Sequence, residues 1–315
     1  MTEKKPLVII AGPTACGKTA SSVLLAKKIG GEIISADSMQ VYKYMDIGTA
    51  KIREEEKEGV PHYMIDEFMP DDEFNVKIFQ EKTLEYMEKI YSRGHIPILV
   101  GGTGFYINSV VYNNNFMETE NNDGIRKQLE KEAEEFGAEY VYEKLKQVDK
   151  EYAENIHYNN VKKVIRALEF YMQTGQKLSE HNETQQKNES PYNCAFIILN
   201  MDRQKLYDRI NLRVDLMLKD GLEEEVKKLL DMGYSKDLVS MQGLGYKEMV
   251  PYIEGKITLV EAAEEIKKRT RHFAKRQLTW FKHQTDDGFW LDITGKESVY
   301  AAEKMFDYIK EKKLI

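Results

Sequence analysis

Cysteine is nearly absent: Cys16 and Cys194 are the only two in 315 residues. Two thiols cannot build a disulfide framework or a four-ligand zinc site, so neither a stapled secreted module nor a metal finger is available. Proline is also sparse, 7 residues against 20 glycines, and no low-complexity tract accompanies it. Long apolar runs are missing as well. Residues 1–6 are polar, and the apolar run behind them covers only residues 7–11, too short for a signal-peptide core. One uncharged stretch, residues 96–117, has the length of a bilayer span, but Pro97, three glycines and four asparagines interrupt it. In lipid those groups would stay unsatisfied. These absences predict a cytoplasmic protein with no membrane segment. An excess of positive charge is lacking too: 46 Lys and Arg stand against 53 Asp and Glu, net −7, which on average argues against a polybasic nucleic-acid binder.

What is present suits a packed core: 42% of residues are hydrophobic, and the length fits about two domains. Residues 7–11, 32–36, 96–100, 195–200 and 289–293 read as strands, and helix-length segments separate them. Parallel neighbours need such crossovers, so an α/β core with a mainly parallel sheet is predicted. A helix is expected over residues 18–29, and another through Leu206, Ile210, Val214, Met217 and Leu218, stopping near Gly221. Residues 117–190 differ in composition, with no proline and dense Glu and Lys. There Val161, Val164, Ile165, Leu168 and Met172 recur at helical spacing, and Ile125, Leu129 and Phe136 do so more loosely. This predicts an all-helical insertion at 117–190, with residues 1–116 and 191–315 forming the catalytic core; Leu168 and Met172 are expected inside the insertion.

Gly12, Pro13, Thr14, Ala15, Cys16, Gly17, Lys18 and Thr19 spell G-x-x-x-x-G-K-T between a predicted strand and a predicted helix. That is a P-loop. Its glycines let successive N–H groups turn onto an anion, the helix start adds positive potential, Lys18 neutralises phosphate, and the Thr19 hydroxyl can ligate Mg²⁺. A diphosphate or triphosphate ligand is expected, and the cradle alone leaves its identity open. The hydrophobic strand at 96–100 runs into Gly101-Gly102-Thr103-Gly104 without the acid that an ATPase places there. The strand at 33–36 instead ends in Asp37-Ser38-Met39-Gln40, an acid beside hydroxyl and amide groups suited to a base edge.

Five blocks in order now resemble one family, the bacterial tRNA dimethylallyltransferases, also called tRNA isopentenyltransferases: GPTACGKT at 12–19, DSMQVYKYMDIGTAK at 37–51, GGTGFY at 101–106, RALE at 166–169 and KRQLTWF at 275–281. The resemblance implies a P-loop NTPase-like fold. It also implies transfer of a dimethylallyl group from dimethylallyl diphosphate to the N6 amine of the adenosine 3′-adjacent to the tRNA anticodon, releasing pyrophosphate with Mg²⁺. Asp37 would accept the proton of that amine, a poor nucleophile without help. Thr103 and Arg213 would stabilise charge growing on the leaving diphosphate. By the same resemblance Ser38, Met39 and Gln40 join Asp37 and Thr103 near the base. Arg126, Lys162, Lys163, Val164, Ile165 and Arg166 reach the anticodon arm, and Gln242, Gly243, Gly245 and Tyr246 form a further tRNA block, as do Lys275, Arg276, Gln277, Trp280 and Lys282. Cys16 stands where the family most often has serine. A thiol at a helix start predicts reaction with thiol reagents, with the diphosphate substrate protecting it.

Residues 267–282 carry seven positive charges and no acid, which leaves −14 for the rest of the chain. Such asymmetry suits phosphate-backbone recognition, with His272, Phe273, Trp280 and Phe281 as stacking faces or as core. The insertion is acidic, net −5, so only one of its faces should approach RNA. Against tRNA prenylation stand a small-molecule kinase or adenylate isopentenyltransferase, which needs no basic segment, and an RNA-binding ATPase, which needs the missing acid. A monomer is the default.

Overall fold

The computed structural model describes residues 4–116, 123–186, 189–285 and 287–315. Two compact units emerge, one formed by Met1–Val111 with Ser190–Ile315, the other by Tyr112–Glu189. The insertion boundary expected at residue 117 lies outside the described residues.

In the first unit the chain runs β1 (Pro6–Ala11), α1 (Lys18–Ile29), β2 (Gly31–Ala36), β3 (His62–Tyr63), α2 (Val76–Ser92), β4 (Ile96–Gly101) and α3 (Gly104–Val111). The second unit holds α4 (Asp123–Phe136), α5 (Ala138–Val148), α6 (Lys150–Glu154), α7 (Val161–Thr174) and α8 (Leu178–Gln186). The first unit then resumes with β5 (Asn193–Asn200), α9 (Arg203–Lys219), α10 (Leu222–Asp231), α11 (Tyr246–Ile253), α12 (Leu259–Gln284), β6 (Phe289–Asp292) and α13 (Ser298–Glu311). The strands form one sheet in the order β3-β2-β4-β1-β5-β6, and every neighbouring pair is parallel. The expected parallel core is found. The two-residue strand β3 has no counterpart among the predicted strands, because two residues carry no readable period.

Leu7, Val8, Ile9, Ile10 and Ala11 are fully buried, as a strand covered on both faces must be. Register then sets the site. Ala11 and Ala36 both align with Gly101, so β1, β4 and β2 end level with one another, and the segments following them start side by side. The carboxyl ends of neighbouring parallel strands are where open α/β sheets bind ligands.

The helical unit closes over its own core of Leu129, Val141, Leu145, Ala153, Val164, Ile165, Ala167 and Leu168. One expectation is corrected here, the burial of Met172. Met172 and Phe136 are exposed, although both fall on apolar stripes, while Leu168 is buried as expected.

Candidate active site

Between β1 and α1 the phosphate loop turns on glycine. Gly12 has φ 148° and approaches β5 so closely that a Cβ would lie 2.5 Å from the Leu199 carbonyl oxygen; Gly17 caps α1 at φ 86°. No side chain fits at Gly12. Lys18 Nζ curls over the loop and donates to the carbonyls of Gly12 (3.0 Å) and Pro13 (2.7 Å). Thr19 is exposed in the first turn of α1, and among the described residues its hydroxyl has no partner. Cys16 lies under the same lysine, its Sγ 3.9 Å from Lys18 Nζ. Its side chain is 1% exposed and belongs to the hydrophobic core beneath the loop, so the expected reagent-accessible thiol is a buried one.

Asp37 follows β2 directly. Its Oδ1 accepts from the backbone N–H groups of Met39 (2.9 Å) and Gln40 (3.4 Å), an Asx turn, while its Oδ2 is unpartnered among the described residues. One oxygen therefore holds the turn and the other is free to accept a proton. Thr103 comes beside it: the Thr103 N–H donates to the Ala36 carbonyl (3.3 Å), and the Thr103 carbonyl accepts from Tyr106 and Ile107 to start α3. The Thr103 hydroxyl also lacks a partner among the described residues. Below them Tyr106 stays neutral, its hydroxyl pushed up to about 12 by burial and by the nearby Tyr42 and Asp37 charges.

Of the expected neighbours of Asp37, Ser38 has a hydroxyl with no partner among the described residues, but Gln40 is committed inward. Its Nε2 donates to Thr49 O (3.2 Å) and Ala50 O (3.4 Å), and its Oε1 accepts from the Ser35 hydroxyl. Met39 lays its methyl group against Gly243, which joins the 240s block to the Asp37 turn.

Two arginines of α9 reach the phosphate loop. An Arg209 Nη2 lies 3.6 Å from where a Cβ on Gly17 would stand. Arg213 is half-buried. Burial pushes its pKa down, nearby Cys16 opposes this, and the like charge of Arg209 lowers it further. Neither arginine pairs with a carboxylate among the described residues, so both positive charges remain uncompensated at the cradle. The i, i+4 spacing made Arg209 visible, but nothing in the sequence separates an arginine over a loop from one on a surface.

Several residues expected to touch RNA turn out to be interior. Val164 and Ile165 belong to the core of the helical unit. Tyr246 is fully buried, donates to Glu225 Oε1 (2.6 Å), and fills the space beside Gly48. The backbone N–H of Gly245 donates to Glu248 (2.8 Å). Gln277 is 7% exposed and bonded at both ends within the protein. Glu225 is a residue that sequence reasoning missed. It accepts from the N–H groups of Asp46, Ile47 and Gly48 and so shapes the loop after the Asp37 turn, yet α10 presents it as the last of three consecutive glutamates.

The basic segment divides. Lys267 pairs with Asp215 and Glu264, Lys268 with Glu265, and Arg269 with Glu265 and Glu248; Arg271 donates to Asn211. Lys275, Arg276 and Lys282 are exposed and pair with no carboxylate among the described residues, and the half-buried Arg271 bonds only a neutral amide, so four of the seven charges are left without an acid, three of them fully exposed. The aromatics are largely structural. Phe281 is buried, Trp280 packs over Gly104, and Phe273 lies 5.8 Å from the Arg276 guanidinium. In the helical unit Lys162, Lys163 and Arg166 are exposed, and Arg126 pairs with Glu169 (2.6 Å). Gln242 is exposed on the first unit, its amide donating to Lys236 O.

The family model described as IPP transferase matches residues 40–284. A tRNA dimethylallyltransferase of Acetivibrio thermocellus is 52% identical over 304 residues, 96% of each chain, and one of Lachnoclostridium phytofermentans is 52% identical over 99% of each. Among solved structures, the tRNA isopentenylpyrophosphate transferase of Bacillus halodurans matches with a TM-score of 0.73 at 43% identity, covering 99% of this chain and 98% of that one. A eukaryotic dimethylallyltransferase acting on tRNA matches with a TM-score of 0.82 at 30% identity, over 98% of this chain and 80% of that one. The P-loop, the Asp37 turn and the Thr103 turn thus sit on a chain that belongs to the IPP transferase family, the tRNA dimethylallyltransferases.

Proposed function

We propose that this protein transfers the dimethylallyl group of dimethylallyl diphosphate to the N6 amine of the adenosine 3′-adjacent to the anticodon of tRNA, and that it does so in the cytoplasm. The observation that carries this reading is the meeting of three features at level strand ends: a phosphate loop, a carboxylate with one free oxygen, and a free hydroxyl. The amine nitrogen attacks the C1 carbon of the dimethylallyl group, a C–N bond forms, the C–O bond to the diphosphate breaks, and the amine proton passes to Asp37 Oδ2. Charge left on pyrophosphate falls on the loop amides, Lys18, Arg209, Arg213 and the Thr103 hydroxyl, groups already fixed before the reaction starts.

Among the described residues no cluster of three His, Cys, Asp or Glu could hold a metal ion. The donor set instead offers the Thr19 hydroxyl, which suits Mg²⁺, an ion that keeps water and substrate phosphate as most of its ligands. Bound there it would add positive charge to the diphosphate. For tRNA, the exposed Lys275, Arg276 and Lys282 of α12 supply phosphate contacts, as do Lys162, Lys163 and Arg166 on the helical unit. Among the described residues no helix is long and apolar enough to cross a membrane.

Incubation with labelled dimethylallyl diphosphate, Mg²⁺ and either unmodified tRNA or AMP tests the reading. Label is expected in tRNA. Label in AMP alone would assign a nucleotide prenyltransferase.

A further inference from the structure

The two faces of α12 do different things. Outward it carries Lys275, Arg276 and Lys282, all exposed; inward it carries Ala274, Gln277 and Phe281, all buried. Gln277 is the polar member of the inner row, and its amide spans two segments far apart in sequence. Its Oε1 accepts from the Thr14 N–H of the phosphate loop (2.9 Å), and its Nε2 donates to the Gly102 carbonyl (2.9 Å), one residue before Thr103. The fit is close. A Cβ on Gly102 would lie 2.1 Å from Gln277 Nε2, and one turn further a Cβ on Gly104 would lie 2.1 Å from the Trp280 ring. Glycine at both positions lets the helix sit directly on the turn that presents Thr103. Because Thr14 N–H is spent on Gln277, the amides of Ala15 to Thr19 are the ones left for a diphosphate.

We propose that Gln277 is a positioning residue. It fixes the spacing between the phosphate loop and the Thr103 turn, and through it tRNA seated on the outer face of α12 tightens the hold on the diphosphate. The coupling half rests on the reading that α12 docks tRNA; the spacing half does not. A buried amide with both ends satisfied transmits displacement because breaking either bond leaves an unpaired polar group in the interior. Coupling between two ligands must also be reciprocal, so diphosphate should tighten tRNA by the same factor.

The test measures binding of inorganic pyrophosphate with Mg²⁺, with and without unmodified tRNA, for the parent, Q277M and Q277E. Methionine keeps the shape and removes both bonds. Q277M should bind pyrophosphate about tenfold more weakly, a loss of the size two buried hydrogen bonds set. It should bind tRNA within twofold of the parent, and tRNA should no longer tighten its pyrophosphate. Steady-state kinetics should show a raised KM for dimethylallyl diphosphate, while tRNA binding measured without diphosphate stays parental and no longer tightens when pyrophosphate is added. Parental pyrophosphate affinity in Q277M, or tightening by tRNA at the parental factor, overturns the proposal, as does absence of tightening in the parent. Should Q277M lose its fold, Q277E decides: it still accepts from Thr14 N–H but cannot donate to Gly102 O, and retained tightening overturns the proposal. The double reversal K275E/R276E separates the readings, since unchanged tRNA affinity there defeats the docking reading while pyrophosphate binding by Q277M still reports the spacing.

Discussion

Asp37 commits one oxygen to structure and leaves the other for the proposed chemistry, and that division can be probed with one atom. Asp37→Asn keeps an Oδ1 to accept from Met39 and Gln40 and removes the proton acceptor. Turnover should fall about 10²-fold or more, the usual worth of a positioned base, while the melting temperature and tRNA affinity stay near parental. Equal loss of tRNA affinity and turnover would make Asp37 a binding residue only. Cys16 gives a second residue-scale prediction. Buried at 1% exposure, its thiol should react with a polar thiol reagent at least tenfold more slowly than a free cysteine in native enzyme, and at the normal rate after unfolding in urea. Fast labelling of the native protein would mean that the loop opens. At this scale the sequence showed where chemistry gathers but not how each residue serves it. Asp37, Lys18 and Thr103 are legible because their types are the ones the proposed reaction demands. Val164, Ile165, Tyr246 and Gln277 lie in the same blocks as RNA-contacting candidates, and a motif string does not separate a side chain that touches a ligand from one that holds the loop that does.

Among elements, α12 shows most clearly what a linear charge count misses. Glu264 and Glu265 lie just before the basic run and can be paired with it by helical spacing, but Asp215 comes from α9 and Glu248 from α11, and only the fold brings them in. Reversing Lys275 and Arg276 should therefore weaken tRNA binding and reduce its salt dependence by about one unit of slope per lost phosphate contact. Reversing Lys267 and Lys268, already neutralised by neighbouring acids, should leave the slope within half a unit of parental. Titration of tRNA binding against salt distinguishes the two, and an equal change in both would restore the seven-charge stripe. The strands were legible for a complementary reason. Buried parallel strands are continuous runs of β-branched and aliphatic residues, so β1, β2, β4 and β5 announce themselves, whereas the edge strand β6 buries only Leu291 and reads weakly; α1 starts at the lysine of the loop motif.

For the whole molecule, stability and catalysis lie at opposite ends of the sheet. At the entry end of β2, Glu32 is 2% exposed and accepts from Tyr63 (2.6 Å), Arg93 (2.7 and 3.0 Å) and His95 (2.6 Å), which ties β2 to β3 and to the turn before β4. Burial works to raise its pKa, but the bonds from Arg93, Tyr63 and His95 outweigh it and hold the carboxyl at about 2. A depressed carboxylate stabilises the fold above its unfolded pKa of 4.5, and that contribution is lost as pH falls from there toward 2. Glu32→Gln should cost about 2 kcal/mol at neutral pH and flatten the acid limb of the stability curve, read by urea unfolding from pH 7 to 3. Turnover of the folded variant should remain parental, because the reacting groups stand at the exit end of the strands.

Registration of three strand ends is also what brings the proposed reacting groups together, and it was beyond the reach of sequence, which gives strands but no register. The decisive measurement sets pyrophosphate release against label transferred from dimethylallyl diphosphate to tRNA, with the labelled nucleoside mapped after nuclease digestion. One pyrophosphate per transferred label, with the label on N6 of the adenosine next to the anticodon, is the predicted result. Pyrophosphate without label in tRNA, or label confined to AMP, would contradict it.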